Sequence, residues 1–209
     1  MTDDNFRPFT SFFWGLDTFR SQFSTCEAIT NAANAFTDYY IQSHEKNIFG
    51  GIDDRCIFIN PDSGEVRITR SKKDVSVKYK APELITDSNA KDNADTDNFT
   101  LAVLLFRLFF IDHPFAGGKD LATMPFISKK IGEMLYGSEP VFVYSPSDTS
   151  NRPQSNLSPY LVTIWNAAPE PLKTSFTQVF TDEIKNPSAR LTPQQWKEKF
   201  REWSVECGV

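Results

Sequence analysis

FTLAVLLFRLFFI, residues 99–111, is apolar on every face of a helix except at Thr100 and Arg107. A surface helix would carry a polar stripe at a 3.6-residue period. None is present, so the segment reads as a helix buried on all sides, around which a globular domain is built. It is too short to cross a bilayer, which takes ~20 residues. Asp97 or a neighbour is placed to cap its start.

Toward the amino terminus, the Asp- and Asn-rich stretch TDSNAKDNADTDN (86–98) reads as a loop that favours turns and a helix start. Before it lie YKAPEL (79–84) and a polar run from Ser71 to Lys78. CIFIN (56–60) and EVRIT (65–69), separated by Pro61, Asp62, Ser63 and Gly64, predict a β-hairpin. Ile29, Ala32, Ala33, Phe36, Tyr39 and Tyr40 recur at helical spacing, which predicts a helix over 26–43. His44 and Lys46 sit near its end, where cations suit the helix dipole, and Gly50 and Gly51 follow as stop residues. The aromatic-rich opening, FTSFFWGLDTFRSQF (9–23), reads as a further helix. Toward the carboxy terminus a helix is expected around 126–136. A packed but irregular connector follows over 138–160, with Pro140, Pro146, Pro153 and Pro159. Two helices are then expected around 169–184 and 193–204, the second entered through LTPQQW.

The chain has 209 residues, 40% hydrophobic and 23% charged, enough for one domain over 1–209, with 1–25 as its aromatic-rich amino-terminal helix. A net charge of −5 without a Lys/Arg run argues against nucleic-acid or anionic-membrane partners. The acidic opening MTDDNFRPF has no signal-peptide core, so a cytoplasmic location is expected. Cys26, Cys56 and Cys207 suit reduced thiols. His44 and His113 complete no metal-binding spacing, and no metal or other cofactor is expected.

YKAPEL (79–84), DNFTLAVLLFRLFFIDHPFAG (97–117) and NPSARLT (186–192) together resemble, in order and spacing, the carboxy-terminal lobe of protein kinases. FRLFFIDHPFAGGKD, YGSEPVFVYSPSDTSNRP and NPSARLTPQQW are similar to the bacterial kinases encoded beside a metal-dependent Ser/Thr phosphatase and a von Willebrand factor A protein, often discussed with tellurium-resistance clusters. The likeness runs from about Ala28 to Trp203. It implies a mainly α (α+β) domain, a kinase C-lobe-like set of helices around the buried central helix, with a small β-hairpin. It implies three structural roles: Glu83 pairs with Arg190, and Asp97 accepts backbone hydrogens from the catalytic-loop region. Chemistry supports the pair, because a buried carboxylate needs a cation and guanidinium offers a two-pronged donor.

Phosphoryl transfer in kinases requires a catalytic Asp, an Asn and an Asp on magnesium, a phosphate-binding Lys and a glycine-rich cover. The resemblance places Gly51 where the catalytic Asp belongs, Cys56 where the metal-binding Asn belongs, and Arg70 where the magnesium Asp belongs. A fixed positive charge at Arg70 is expected to exclude magnesium. Residues 1–49 hold one glycine, Gly15, and one lysine, Lys46, so no amino-terminal lobe is expected.

The leading expectation is therefore a catalytically inactive kinase-like protein that binds a protein partner in bacterial phosphorylation signalling. The exposed face would be covered by Phe9, Phe12, Phe13 and Trp14 or by another chain, unless those rings simply pack in the domain's own core. The alternative is half of a split Ser/Thr kinase completed by a partner, with Asp53 or Asp54 as substitute base; the plainer reading of both is a solvated turn. A third reading has Arg70, Lys72 and Lys73 engaging phosphate, against a solvated loop. Cys56 reads as a packed hairpin cysteine in preference to a nucleophile, since no His lies nearby in sequence.

Overall fold

A computed structural model describes residues 5–13, 23–71, 73–119, 128–156 and 158–206. The protein is mainly helical, with a small antiparallel sheet in the order β1-β2-β3. The strands are β1 (Arg7–Pro8), β2 (Ile57–Ile59) and β3 (Val66–Ile68). The helices are α1 (Cys26–Glu45), α2 (Pro82–Thr86), α3 (Ala94–Phe110), α4 (Lys129–Glu133), α5 (Pro159–Ala167), α6 (Glu170–Phe180) and α7 (Pro193–Glu206). Among the described residues, no helix is long and apolar enough to cross a membrane.

The residues of α3 from Phe99 to Phe106, together with Leu108 and Phe110, are buried. α1 crosses both α3 and α7, while α5 and α6 close the other side. Aromatic rings fill the space between α3, α5 and α6. Phe106 has the rings of Phe110, Phe142, Phe176 and Phe180 within 4.8 to 5.8 Å.

The sheet pairs as the hairpin pattern predicts, Phe58 opposite Arg67, but β1 adds a third strand that the sequence did not announce. The aromatic opening is correspondingly not a long helix where it is described. Arg7–Pro8 pairs along the free edge of β2, where a proline without an N–H is tolerated, and Phe9–Phe13 form one 3₁₀ turn. Phe9 and Phe12 are fully buried, with Phe9 edge-on to Phe36 and Phe12 against Phe23. These rings belong to the core, which removes them as cover for an open face. Trp14 and the rest of the expected helix through Arg20 and Gln22, like the Phe13 ring, lie outside the described residues.

Three other expectations change. The cap of α3, expected at Asp97 or a neighbour, is Asn93, in a reciprocal box with Thr96, and the helix starts three residues ahead of Asp97. The helix expected over 126–136 is described only from Lys129, and continues as a π turn over Met134–Ser138. Gly137 lies so close to α2 that a Cβ there would approach Ile85 Cγ2 to 2.7 Å. α5 takes in the last two residues of the connector expected over 138–160 and then a stretch for which no element was expected, and Pro159 in its first turn is a start signal in its own right. The remainder of the connector is irregular and held by buried Asn151. Its amide donates to Phe115 and Val141 carbonyls at 3.0 and 2.7 Å, and its oxygen accepts from Lys119 N–H at 2.9 Å.

His113, 3% exposed, fixes the turn after α3. Phe115 N–H donates to Nδ1 at 3.2 Å, which leaves the proton on Nε2 to donate to the Lys78 carbonyl at 2.8 Å. Burial, with Lys78 and Arg107 nearby, pushes its pKa well below the ordinary histidine value. The unfolded chain then binds a proton near pH 6.5 that the folded chain refuses. Stability from neutral His113 is complete above that pH and is lost as pH falls below it, at a slope approaching ~1.4 kcal/mol per pH unit. Urea midpoints measured between pH 7.5 and 5 should fall, and His113→Gln should flatten that fall; an equal fall in the variant would assign the acid sensitivity elsewhere.

Candidate functional site

The residues singled out by their chemistry converge where the loop after α1 meets the start of α3. α2 presents Glu83, and the 3₁₀ turn Pro187–Ala189 delivers Arg190 beneath it. The Arg190 side chain is wholly buried and Glu83 is 27% exposed. Arg190 donates to both carboxylate oxygens of Glu83 at 2.6 and 2.8 Å. It also donates to the Asp95 and Ile184 carbonyls at 3.0 and 3.2 Å, and its guanidinium lies over the Phe99 ring. One side chain thus joins α2, the start of α3 and the segment before α7.

Asp97 reaches back from the first turns of α3. Its Oδ1 accepts the Gly50 N–H at 2.8 Å, and its Oδ2 lies 3.6 Å from His44 Nε2 at the end of α1. Gly50 and Gly51 both have left-handed backbones, φ 69° and 76°. At Gly51 an aspartate would be strained by the backbone as well as missing from the sequence. The carbonyls of Ile48, Phe49 and Gly50 turn together, and the Arg70 guanidinium donates to all three, at 2.9 Å for the first two. Arg70 is therefore committed to the loop and has little left to offer a phosphate. Lys72, its expected companion, lies outside the described residues.

Next to this loop a cleft of about 450 Å³ is bordered by Gly51, Lys73, Tyr79, Lys80, Asp92 and Asp97. Burial, then the charge of Asp97, raises the Asp92 carboxyl above its ordinary range. Among the described residues no group of three or more His, Cys, Asp or Glu side chains converges as a metal site.

The solvated-turn expectation for Asp53 and Asp54 is wrong for both. Asp53 is 0% exposed and caps the 3₁₀ turn Asp54–Cys56. Its carboxylate accepts from Arg55 N–H and Nε–H, and from Ser76 N–H at 3.1 Å. Burial alone would raise its pKa, but the hydrogen bonds from Arg55 and Ser76 outweigh that and hold it below the usual carboxylate range. Asp54 accepts from Arg107 at 2.6 Å, and Arg107 also donates to the Tyr79 hydroxyl. Cys56 is buried, its Sγ 3.7 Å from the Gly51 carbonyl and from Asp53 Oδ1, and burial raises its thiol pKa. It is a packed thiol, not a nucleophile poised for reaction.

No protein-family model matches this chain, and no curated protein matches it. The site therefore has to be interpreted from its own chemistry. Sequence reasoning missed the Asp54–Arg107–Tyr79 and Asp53–Arg55–Ser76 clusters. A signal for the first was present: Arg107 is the one charge in the apolar run 99–111, and a cation so placed needs a carboxylate.

Proposed function

We propose that the protein is a kinase-like binding module that does not transfer phosphate, and that it engages a protein partner in bacterial phosphorylation signalling. The observation that carries the reading is Arg70. At the position where the resemblance puts a magnesium-binding aspartate, a guanidinium is tied to three consecutive carbonyls of the loop that would otherwise carry the catalytic base. Gly51 and Cys56 supply neither a base nor a metal ligand there. The scaffold contacts, Glu83 with Arg190 and Asp97 with Gly50, are meanwhile intact. A fold that keeps its braces and lacks its reactive groups suits recognition better than chemistry.

The split-kinase reading loses its candidate bases. A general base must reach the proton it takes, within ~3 Å. Asp53 is enclosed and fully hydrogen-bonded, and Asp54 is held by Arg107.

Calorimetric titration with ATP tests the proposal. No magnesium-dependent binding is expected in the chain as it stands, and Arg70→Asp should not restore turnover because Gly51 and Cys56 remain. Clear magnesium-dependent ATP binding by the unaltered protein would overturn the reading.

A further inference from the structure

A second cavity, of about 690 Å³, opens between α5, α6 and the loop from Asp182 to Ala189, and is distinct from the cleft beside Arg70. Trp165, Gln178, Asp182, Glu183 and Asn186 contribute to its walls. Glu183 is only 5% exposed. Its Oε1 accepts from the Gln178 amide, the Leu191 N–H faces the carboxylate, and its Oε2 is screened from solvent without a hydrogen bond.

A carboxylate oxygen left so is costly, and its own fold does not account for it. Lys185, the cation nearest in sequence, is exposed and in no ion pair with them, Arg190 is spent on Glu83 and on two carbonyls, and Lys173 at the cavity rim pairs with Glu170. Among the described residues, neither Asp182 nor Glu183 is in an ion pair, although the charge of Arg190 is felt at Glu183. Gln178, whose amide covers the other oxygen of Glu183, is itself solvent-exposed. Trp165, 9% exposed and packed against Tyr144, Phe110 and Phe142, adds to the cavity wall the part of its indole that those rings leave uncovered.

We propose that this cavity receives a basic side chain, an arginine in preference to a lysine, carried by a partner protein. A planar guanidinium can donate to Glu183 Oε2 and to Asp182 while lying against the indole, and it gives up hydration more readily than an ammonium. Burial raises the Glu183 pKa, so a bound cation, which favours the carboxylate, releases a proton and binds more tightly as pH rises through that titration. The inference rests on the binding-module reading only for the source of the side chain. ATP binding at the Arg70 cleft and cation binding here can succeed or fail separately.

The test is an NMR titration of the full chain with N-acetylarginine amide, beside its lysine and citrulline counterparts. Expected are saturable shifts of the Trp165 indole and of the Gln178 and Asn186 side-chain amides with arginine, weaker ones with lysine and none with neutral citrulline. Glu183→Gln should weaken arginine binding about tenfold, the loss of one charge-assisted hydrogen bond. Asp182→Asn should weaken it less, and Gln178→Ala should strengthen it by uncovering Glu183. If Glu183→Gln does not fold, the two exposed-site variants still decide. Binding that citrulline matches, that none of these variants alters, or that shifts only residues elsewhere overturns the proposal, as does no binding at all.

Discussion

Replacing Arg190 by methionine is expected to cost about 3–5 kcal/mol of folding stability, the range for breaking a buried ion pair from one side. The side chain is fully enclosed, and its loss strands Glu83 together with the Asp95 and Ile184 carbonyls. Arg190→Lys should recover little of this, because one ammonium cannot span two carboxylate oxygens and two carbonyls in different directions. Glu83→Gln should cost less than Arg190→Met, since Glu83 is partly solvated and a glutamine oxygen can still accept. The double variant should fall short of the sum of the two, with a coupling of ~1–3 kcal/mol. Urea denaturation of the unaltered protein and the four variants measures all of this. A loss below about 1 kcal/mol for Arg190→Met would show that the pair is incidental to the fold.

Phe106→Ala is expected to be comparably damaging, at about 3–5 kcal/mol. Phe106 is 0% exposed in the middle of α3, and its ring meets side chains from the connector, α5 and α6 at once. The surrounding rings are anchored on three separate segments, so they cannot close together into the space left. Phe58→Ala is the control: on the outer face of β2, 37% exposed, it should cost no more than about 1 kcal/mol. Equal losses at the two positions would mean that the ring cluster around α3 does not dominate stability.

These two positions were not equally visible beforehand. Phe106 follows from the pattern, because a helix apolar on every face has to be surrounded. To spacing and composition Arg190 is one charge among many, and only the kinase-lobe motifs pointed to Glu83, 107 residues earlier, as its partner. The same division runs through the site. The hairpin and α1 were legible because turn residues and apolar spacing act on near neighbours. β1 was not, since two residues take extended form only by pairing with β2. Asp53 looked like half of an acidic turn, and its burial is set by Arg55 and by Ser76, 23 residues away. The cap of α3 was left between Asp97 and a neighbour because a sequence holding several Asp and Asn residues close together offers several caps. The Gly50 N–H draws Asp97 away, and Asn93 is left to the helix end.

The sequence by itself determined a mainly helical chain built around residues 99–111, with one hairpin and no excess of basic charge, because apolar periodicity and composition are local or global sums that need no partner. Outside Glu83, Arg190 and Asp97, whose roles the motif resemblance implied, only the tertiary structure decided what each polar residue is for. Arg70 became a brace on three carbonyls, Asp53 a buried cap, and Glu183 a carboxylate with an oxygen to spare. A polar side chain in an interior is defined by whichever group, near or far along the chain, folding brings within hydrogen-bond reach of it.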